Sequence, residues 1–543
     1  MDSFDYIVVG AGAAGSIVAY RLGEAGYNVL VVEAGPPDRN PYIKIPAGFM
    51  KTLFDPRLTW QMAHAPSEGT NGRAIHVVQG RTLGGSSSVN GLIYNRGQAA
   101  DYDGWEVLGN RGWAYGDVLP FFKRTERRIG PGDDAFRGRE GRLPVTTPVW
   151  PSPISDAFVQ AAIESGIPFN SDHNGEKQAG VGSYQSAIFR GRRVSTADAF
   201  LRPAARRFAV SVATRCQVSE ILFDGRRAMG VSYFREGESV PRRADARLGV
   251  VVSAGAINTP KLLQLSGIGP ADLLRSHGID VRQDLPGVGE NLRDHYSPRL
   301  VARARHGKGS VNGRERGWKL AAEGAKWMLG QPSILSVSPA LLHVFWKSDA
   351  SLADPDYALV FTPASYRRGY IGKLDAFPGV TCGVWTMRPR STGAVRIAGA
   401  DFRENPFTQP NYFSHDYDRK VTLAALRAAR ALLASPAMCP HIEAETFPGP
   451  DVRTDDELLD FVRAEGNSSN HLVGTATMGP EGDRMAVLDE RLRVRGIEGL
   501  SVIDSSIMPT MPSGNTWAAT MMIAEKGADM LIADARRGAG KAA

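Results

Sequence analysis

Residues 4–35 read FDYIVVGAGAAGSIVAYRLGEAGYNVLVVEAG, and this stretch decides the fold. Asp5–Val9 carries the apolar run Ile7, Val8 and Val9, suited to a buried parallel strand. Gly10, Gly12 and Gly15 follow in G-x-G-x-x-G spacing. Ala13–Glu24 has helical composition, and a second apolar strand, Val29–Val32, ends on Glu33. In such a turn the first glycine permits the tight bend and the second lets the backbone approach a pyrophosphate. The third lets the helix pack on the strand, so that the helix N-terminus faces the phosphates. Glu33 stands 18 residues after Gly15, where an acid hydrogen-bonds a ribose hydroxyl. Strands, helix and acid in register predict a dinucleotide site. NAD and FAD remain open at this point; the acid disfavours NADP, whose extra phosphate prefers an arginine.

The 543 residues suffice for two or three domain-sized units, and 43% hydrophobic content with 60 Gly describes a loop-rich globular α/β chain. A net charge of +7 reads as a basic but ordinary surface. No aromatic-rich basic array supports nucleic-acid binding. Cys216, Cys382 and Cys439 are far apart and form neither a disulfide framework nor a metal cluster, so no metal is expected. The first strand begins too early for a signal peptide, and no apolar stretch nears the roughly 18 residues that span a bilayer. The expectation is a cytoplasmic protein without a transmembrane segment, its oligomeric state unread.

Residues 36–79, with Pro41, Pro46, Pro56 and Pro66, read as an extended cover. GRTLGGSSSVNGLIYNRG (80–97) can set backbone N–H groups against a planar or anionic ligand. Helices are expected over 151–170 and 197–207, and strands over 210–213, 218–223, 230–235 and 249–253. The last of these strands enters a second glycine turn and helix. Between about 300 and 460, strand-like 356–362, 379–387 and 393–397 lack regular helical crossovers, and 418–433 is a strong helix. This pattern implies an antiparallel sheet with helices on one side. A strand at 500–504 and a helix at 516–533 return to the first domain. The fold expected is α/β plus α+β. A Rossmann-like cofactor domain takes residues 1–150, 195–299 and 466–535, the last part carrying the catalytic residues. A discontinuous substrate domain takes 151–194 and 300–465, and 536–543 is a flexible tail.

The glycine clusters resemble the glucose–methanol–choline (GMC) oxidoreductases, FAD-dependent enzymes that oxidise alcohols. Blocks 5–35, 80–103, 253–269, GVGENLRDH at 287–295 and the region 470–525 carry the resemblance. Gly84, Gly85, Ser86–Ser88, Asn90 and Gly97 look like the family's first signature, and GAINTPKLLQLSGIG (255–269) like its second. NPYIKIPAGF, MRPRSTG, SSIMPT and GNTWAATMMIAEK are similar to the bacterial choline-dehydrogenase and alcohol-dehydrogenase branch. The resemblance implies FAD rather than NAD. It assigns cofactor contacts to Gly10, Gly12, Ala13, Ala14, Gly15, Glu33, Ala34, Arg81, Gly84, Gly85, Ser88, Asn90, Gly91, Val218, Ala254, Gly255, Asp504, Asn515 and Thr516. Covalent choline oxidases link flavin through a histidine just before the signature's Asn. Here that position is Val89, so non-covalent FAD is expected.

Oxidising an alcohol by hydride transfer needs a base for the hydroxyl proton. Of the ten histidines only His471, in NHLVGTATMG, sits in the family's active-site context; the other nine read as packed or surface residues. Asn515, at the family's second active-site position, cannot be a base and is expected to orient the substrate oxygen. Several relatives place an aromatic residue before the catalytic histidine, where this chain has Asn470. The expected reaction is primary alcohol to aldehyde, with electrons passed to oxygen or a quinone-type acceptor, and peripheral membrane contact would fit a quinone. A photodecarboxylase-like relative lacks the base and is disfavoured by His471 with Asn515. The substrate skeleton is expected to be largely apolar or aromatic. Ile334, Leu335, Phe345, Trp346, Phe361, Trp385 and Met387 are possible walls, and Thr386 is the best pocket candidate.

Overall fold

The computed structural model describes residues 3–305, 309–368 and 373–542. In chain order the strands of its two main sheets are β1 (Ser3–Val9), β2 (Val29–Val32), β3 (Gly180–Ser183), β4 (Val210–Ala213), β5 (Cys216–Asp224), β6 (Arg227–Arg235), β7 (Arg242–Val252), β8 (Arg299–Ala304), β9 (Leu342–Trp346), β10 (Tyr357–Thr362), β11 (Gly379–Thr386), β12 (Ile442–Phe447) and β13 (Leu500–Val502). The helices that position the site are α1 (Ala13–Glu24), α2 (Gly255–Leu265), α3 (Asp416–Leu433) and α4 (Thr516–Ala542).

The first sheet runs β4–β2–β1–β7–β6–β5, with β13 also paired to β7. Its β4–β2–β1–β7 part and the β7–β13 pair are parallel, whereas β6 and β5 are antiparallel. Ile7, Val8, Val29, Val31, Val251 and Val252 are at most 1% exposed, as a parallel sheet covered on both faces requires. Gly15 is obligatory beneath α1: a Cβ there would lie 1.9 Å from the Gly10 carbonyl oxygen. The helix therefore packs closer to the turn than any side chain allows.

The second sheet, β12–β8–β11–β10–β9–β3, is antiparallel throughout. One face packs on α3 and on helix Pro153–Glu164 through Leu300, Cys382, Val384, Phe158 and Leu426. The other face looks towards the first domain. Strand β3 comes from the 151–194 segment, so the chain enters this sheet twice.

The expected cover over 36–79 is more structured than an extended loop. It contains helical turns Pro41–Lys44 and Phe49–Thr52 and a hairpin of Thr59–His64 with Ile75–Gly80. Pro41 sits at the start of its turn, where a missing N–H costs nothing, and the Asn40 side chain accepts from Tyr42 N. The segment read as a tail at 536–543 continues α4 to Ala542. Strand Ala394–Arg396 leaves the large sheet and pairs with Phe407–Gln409. Among the described residues no helix is long and apolar enough to cross a membrane.

Candidate active site

A cavity of about 450 Å³ runs between the two sheets, from the Gly10–Ala14 turn to the second sheet. Gly10, Gly12, Ala13, Ala14, Glu33, Ala34, Gly85, Asn90, Gly91, Val218, Ala254, Gly255, Asp504, Asn515 and Thr516 all line it. Gly15, Arg81, Gly84 and Ser88 do not; they support its wall. Gly84 N donates to Ala11 O at 2.8 Å, tying the second glycine loop to the first. Ser88 Oγ donates to Leu83 O at 2.7 Å, and the Arg81 guanidinium lies over the Trp60 ring. Gly85 has φ 51°, and a Cβ on it would come within 2.7 Å of Gly12 Cα. The wall at this seam is bare backbone.

These residues fit a dinucleotide. Helix α1 has no side-chain cap and no acid in its first turn, which leaves its leading N–H groups for an anion. Glu33 is 6% exposed; Oε2 accepts from Ala11 N and Oε1 from Gly35 N, both at 2.8 Å. Burial raises its pKa against those two bonds. Each oxygen keeps a lone pair for a ribose hydroxyl. Asp504 has a second duty: its Oδ2 accepts from Gly255 N at 2.8 Å and Thr259 Oγ1 at 2.6 Å, capping α2.

His471 and Asn515 meet at the opposite end, with Asn515 Nδ2 and His471 Nε2 3.0 Å apart. A histidine set aside by the sequence reading completes the site: His295 Nδ1 lies 3.0 Å from His471 Nδ1. Hydrogen-bond logic assigns the protons. His295 Nε2 is 2.8 Å from the Met387 carbonyl, which can only accept, so this nitrogen carries hydrogen. Burial holds His295 neutral, its pKa down to about 4, and its Nδ1 is then an acceptor. His471 must donate from Nδ1, which leaves Nε2 as the acceptor facing Asn515 Nδ2. Burial, then the neighbouring His295, push the His471 pKa well below its ordinary value.

Asp294 fixes the backbone around this pair. Its Oδ1 accepts from His471 N at 2.8 Å, and Oδ2 accepts from Tyr412 OH at 2.6 Å and from Ser468 Oγ. Burial pushes its carboxyl up to about 6. The Trp385 ring stacks on His295 at 5.6 Å and stands edge-on to His471 at 5.7 Å. The only sequence sign of this clamp was the pair Asp294-His295 ending the 287–295 block.

Asn470 lines the cavity, but its Oδ1 accepts from Val78 N at 2.7 Å and its φ is 61°. It shapes the turn that presents His471. Thr386 lies outside the cavity: alternation along β11 turns Thr381, Gly383 and Trp385 inward, whereas Thr386 Oγ1 meets Thr422 Oγ1 at 3.1 Å on the α3 side. Of the expected walls only Trp385 lines the cavity. Phe361 fills the core behind the sheet, and Phe345 and Met387 pack in a cluster with Trp385.

Residues 4–297 match the N-terminal domain of the GMC oxidoreductases and residues 389–524 the C-terminal domain. The chain belongs to the GMC oxidoreductase family. It is 38% identical over 530 residues to the oxygen-dependent choline dehydrogenase of Brucella ovis, spanning 97% of this chain and 95% of that protein. It is similar to the solved pyridoxine 4-oxidase from Mesorbium loti, with a TM-score of 0.86 and 29% identity over 97% of this chain and 98% of that one. An FAD-dependent oxidoreductase from Chaetomium thermophilum aligns with a TM-score of 0.88 and 27% identity over 98% and 100% of the chains. This GMC oxidoreductase is an FAD-dependent alcohol-oxidising enzyme.

Glu33→Ala removes the acceptor for Ala11 N and Gly35 N and, with it, the carboxylate offered to a ribose hydroxyl. The purified variant is expected to carry less FAD per chain, read from the ratio of flavin to protein absorbance. Full flavin content would show that Glu33 does not hold the cofactor.

Proposed function

We propose that this enzyme oxidises a primary alcohol to its aldehyde, with His471 as the general base and FAD held without a covalent bond. The orientation of the His471 Nε2 lone pair, fixed through His295, carries this reading. Bound FAD would supply the two-electron acceptor for the hydride that leaves the alcohol carbon. The substrate hydroxyl displaces the direct contact of Asn515 Nδ2 with His471 Nε2: it donates to the histidine and accepts from the amide. As the carbonyl forms, the hydroxyl proton passes to His471 Nε2, and the resulting imidazolium keeps its Nδ1–H on His295. Asn515 orients the oxygen throughout and takes no proton. Retention of a base separates this reading from a photodecarboxylase-like chemistry.

Val89, at the position where covalent choline oxidases carry the linking histidine, is an alkyl side chain in the cavity wall and offers no nucleophile. The terminal acceptor is oxygen or a quinone-type compound, and the name of the Brucella ovis relative favours oxygen. The three cysteines are free, which supports a reducing compartment such as the cytoplasm.

His471→Ala is expected to keep its flavin and to slow anaerobic flavin reduction by alcohol by roughly 10²–10⁴-fold. Wild-type speed in stopped flow would remove His471 from the chemistry. The base must be neutral and its pKa is depressed, so activity should fall only as pH drops through a value below 6.5. A half-maximal point at or above that pH contradicts the assignment. His295→Ala frees His471 to adopt the other tautomer; reduction should slow, and His295→Asn, whose amide oxygen can accept, should restore part of the rate. Acid precipitation should leave all the yellow colour in the supernatant, and a coloured pellet would refute non-covalent binding.

A further inference from the structure

The substrate end of the cavity holds a cation with no anion beside it. Arg299, on β8, lines the cavity together with Ser297, Thr381 and Tyr366. It sits opposite Gly383 of β11, so both face the same way. Gly383 leaves room for it: a Cβ there would lie 4.0 Å from Arg299 Cγ and 3.3 Å from Ser297 Oγ. The guanidinium lies 5.9 Å from the Tyr366 ring centroid, and among the described residues it has neither an ion pair nor a hydrogen bond. Burial lowers its pKa and only Tyr366 opposes this, as expected where no carboxylate holds the charge. A second donor nearby is also unused: the Trp385 indole N–H is buried without an acceptor.

Among the described residues the only acids lining the cavity are Glu33 and Asp504. Both lie at the cofactor end, bonded to backbone around the glycine turns. Trp385 stands against His471 and two residues along β11 from Gly383, a spacing of roughly 7 Å along a strand. A planar or apolar skeleton of about one ring fills that interval. Its hydroxyl would meet His471 at one end and its other end would meet Arg299.

We propose that the alcohol oxidised by this enzyme carries a carboxylate, bound by Arg299 at the substrate end of the cavity, about one ring away from His471. The inference rests on the alcohol-oxidising function and sharpens it to a substrate class. Arginine matches a carboxylate with paired N–H donors, and partial exclusion of water strengthens the contact. A quaternary ammonium finds no acid to hold it and meets a like charge instead. Specificity therefore departs from that named for the Brucella ovis relative. The hydroxyacid binds through its charge, loses its proton and hydride at the other end, and leaves as the aldehyde acid.

The test compares 4-(hydroxymethyl)benzoate, benzyl alcohol and choline as substrates of the holoenzyme. The kcat/KM for the benzoate should exceed that for benzyl alcohol on the order of 10- to 100-fold. That ratio should fall towards one in Arg299→Met and recover in part in Arg299→Lys. A ratio unchanged in Arg299→Met, or wild-type preference for choline or benzyl alcohol, overturns the proposal. Binding read from the flavin spectrum needs no variant and no turnover: benzoate should bind the wild-type holoenzyme more tightly than benzamide by a similar factor, and equal affinity overturns the proposal. If benzoate is preferred but no alcohol reduces the flavin, the anion site stands and the alcohol-oxidising function fails.

Discussion

Two consecutive residues hold the His471 imidazole, and everything at that end of the cavity depends on them. Asp294 takes the His471 amide and His295 takes its Nδ1–H, so one ring is gripped by backbone and side chain at once. Neither grip alone would suffice. The amide bond places the ring but leaves it free to exchange tautomers, whereas the imidazole contact chooses the tautomer only if the ring is already in place. Both partners are buried, and burial disfavours charge on all three groups. The two imidazoles are thus a neutral pair held in a buried setting, where a change of one proton has large electrostatic weight.

The two halves of the cavity are built on different principles. At the cofactor end main chains approach one another at Gly12 and Gly85, and recognition comes from amides and a helix terminus. Side chains there either buttress, as Ser88 does, or cap another helix, as Asp504 does. At the substrate end the wall is the inward face of an antiparallel sheet, where every second residue can be exchanged without touching the core behind it. Thr381, Gly383 and Trp385 belong to that face, and Cys382 and Val384 to the core.

This contrast explains which parts of the molecule were legible in the sequence. The stretch β1–α1–β2 is readable almost to the residue, because its turn, helix and strands are determined by local spacing. The swap of Thr386 for Trp385 has an equally local cause. All eight residues of β11 are buried, so no polar alternation marks which face each one takes. His295 escaped notice because its meaning depends on a residue 176 positions away. In the 36–79 segment the prolines read as breakers, although a proline at a helix start is favourable. The depth to which Arg299 sits unpaired is likewise a tertiary property, since no local pattern distinguishes it from the many arginines on the surface.

The order of assembly follows from the place of β13 in the first sheet. Val250 to Val252 of β7 pair with Leu500 to Val502, and α4 then packs across α1, with Arg21 reaching Asp529 at 3.0 Å. The glycine turn is synthesised well before β13 and α4, so its sheet lacks a strand and its helix lacks a neighbour until both of those have emerged. Such non-local pairing makes folding slow and leaves an open strand edge on the nascent chain in the meantime. The first sheet is accordingly complete only once β13 and α4 have docked, however early its glycine turn takes shape.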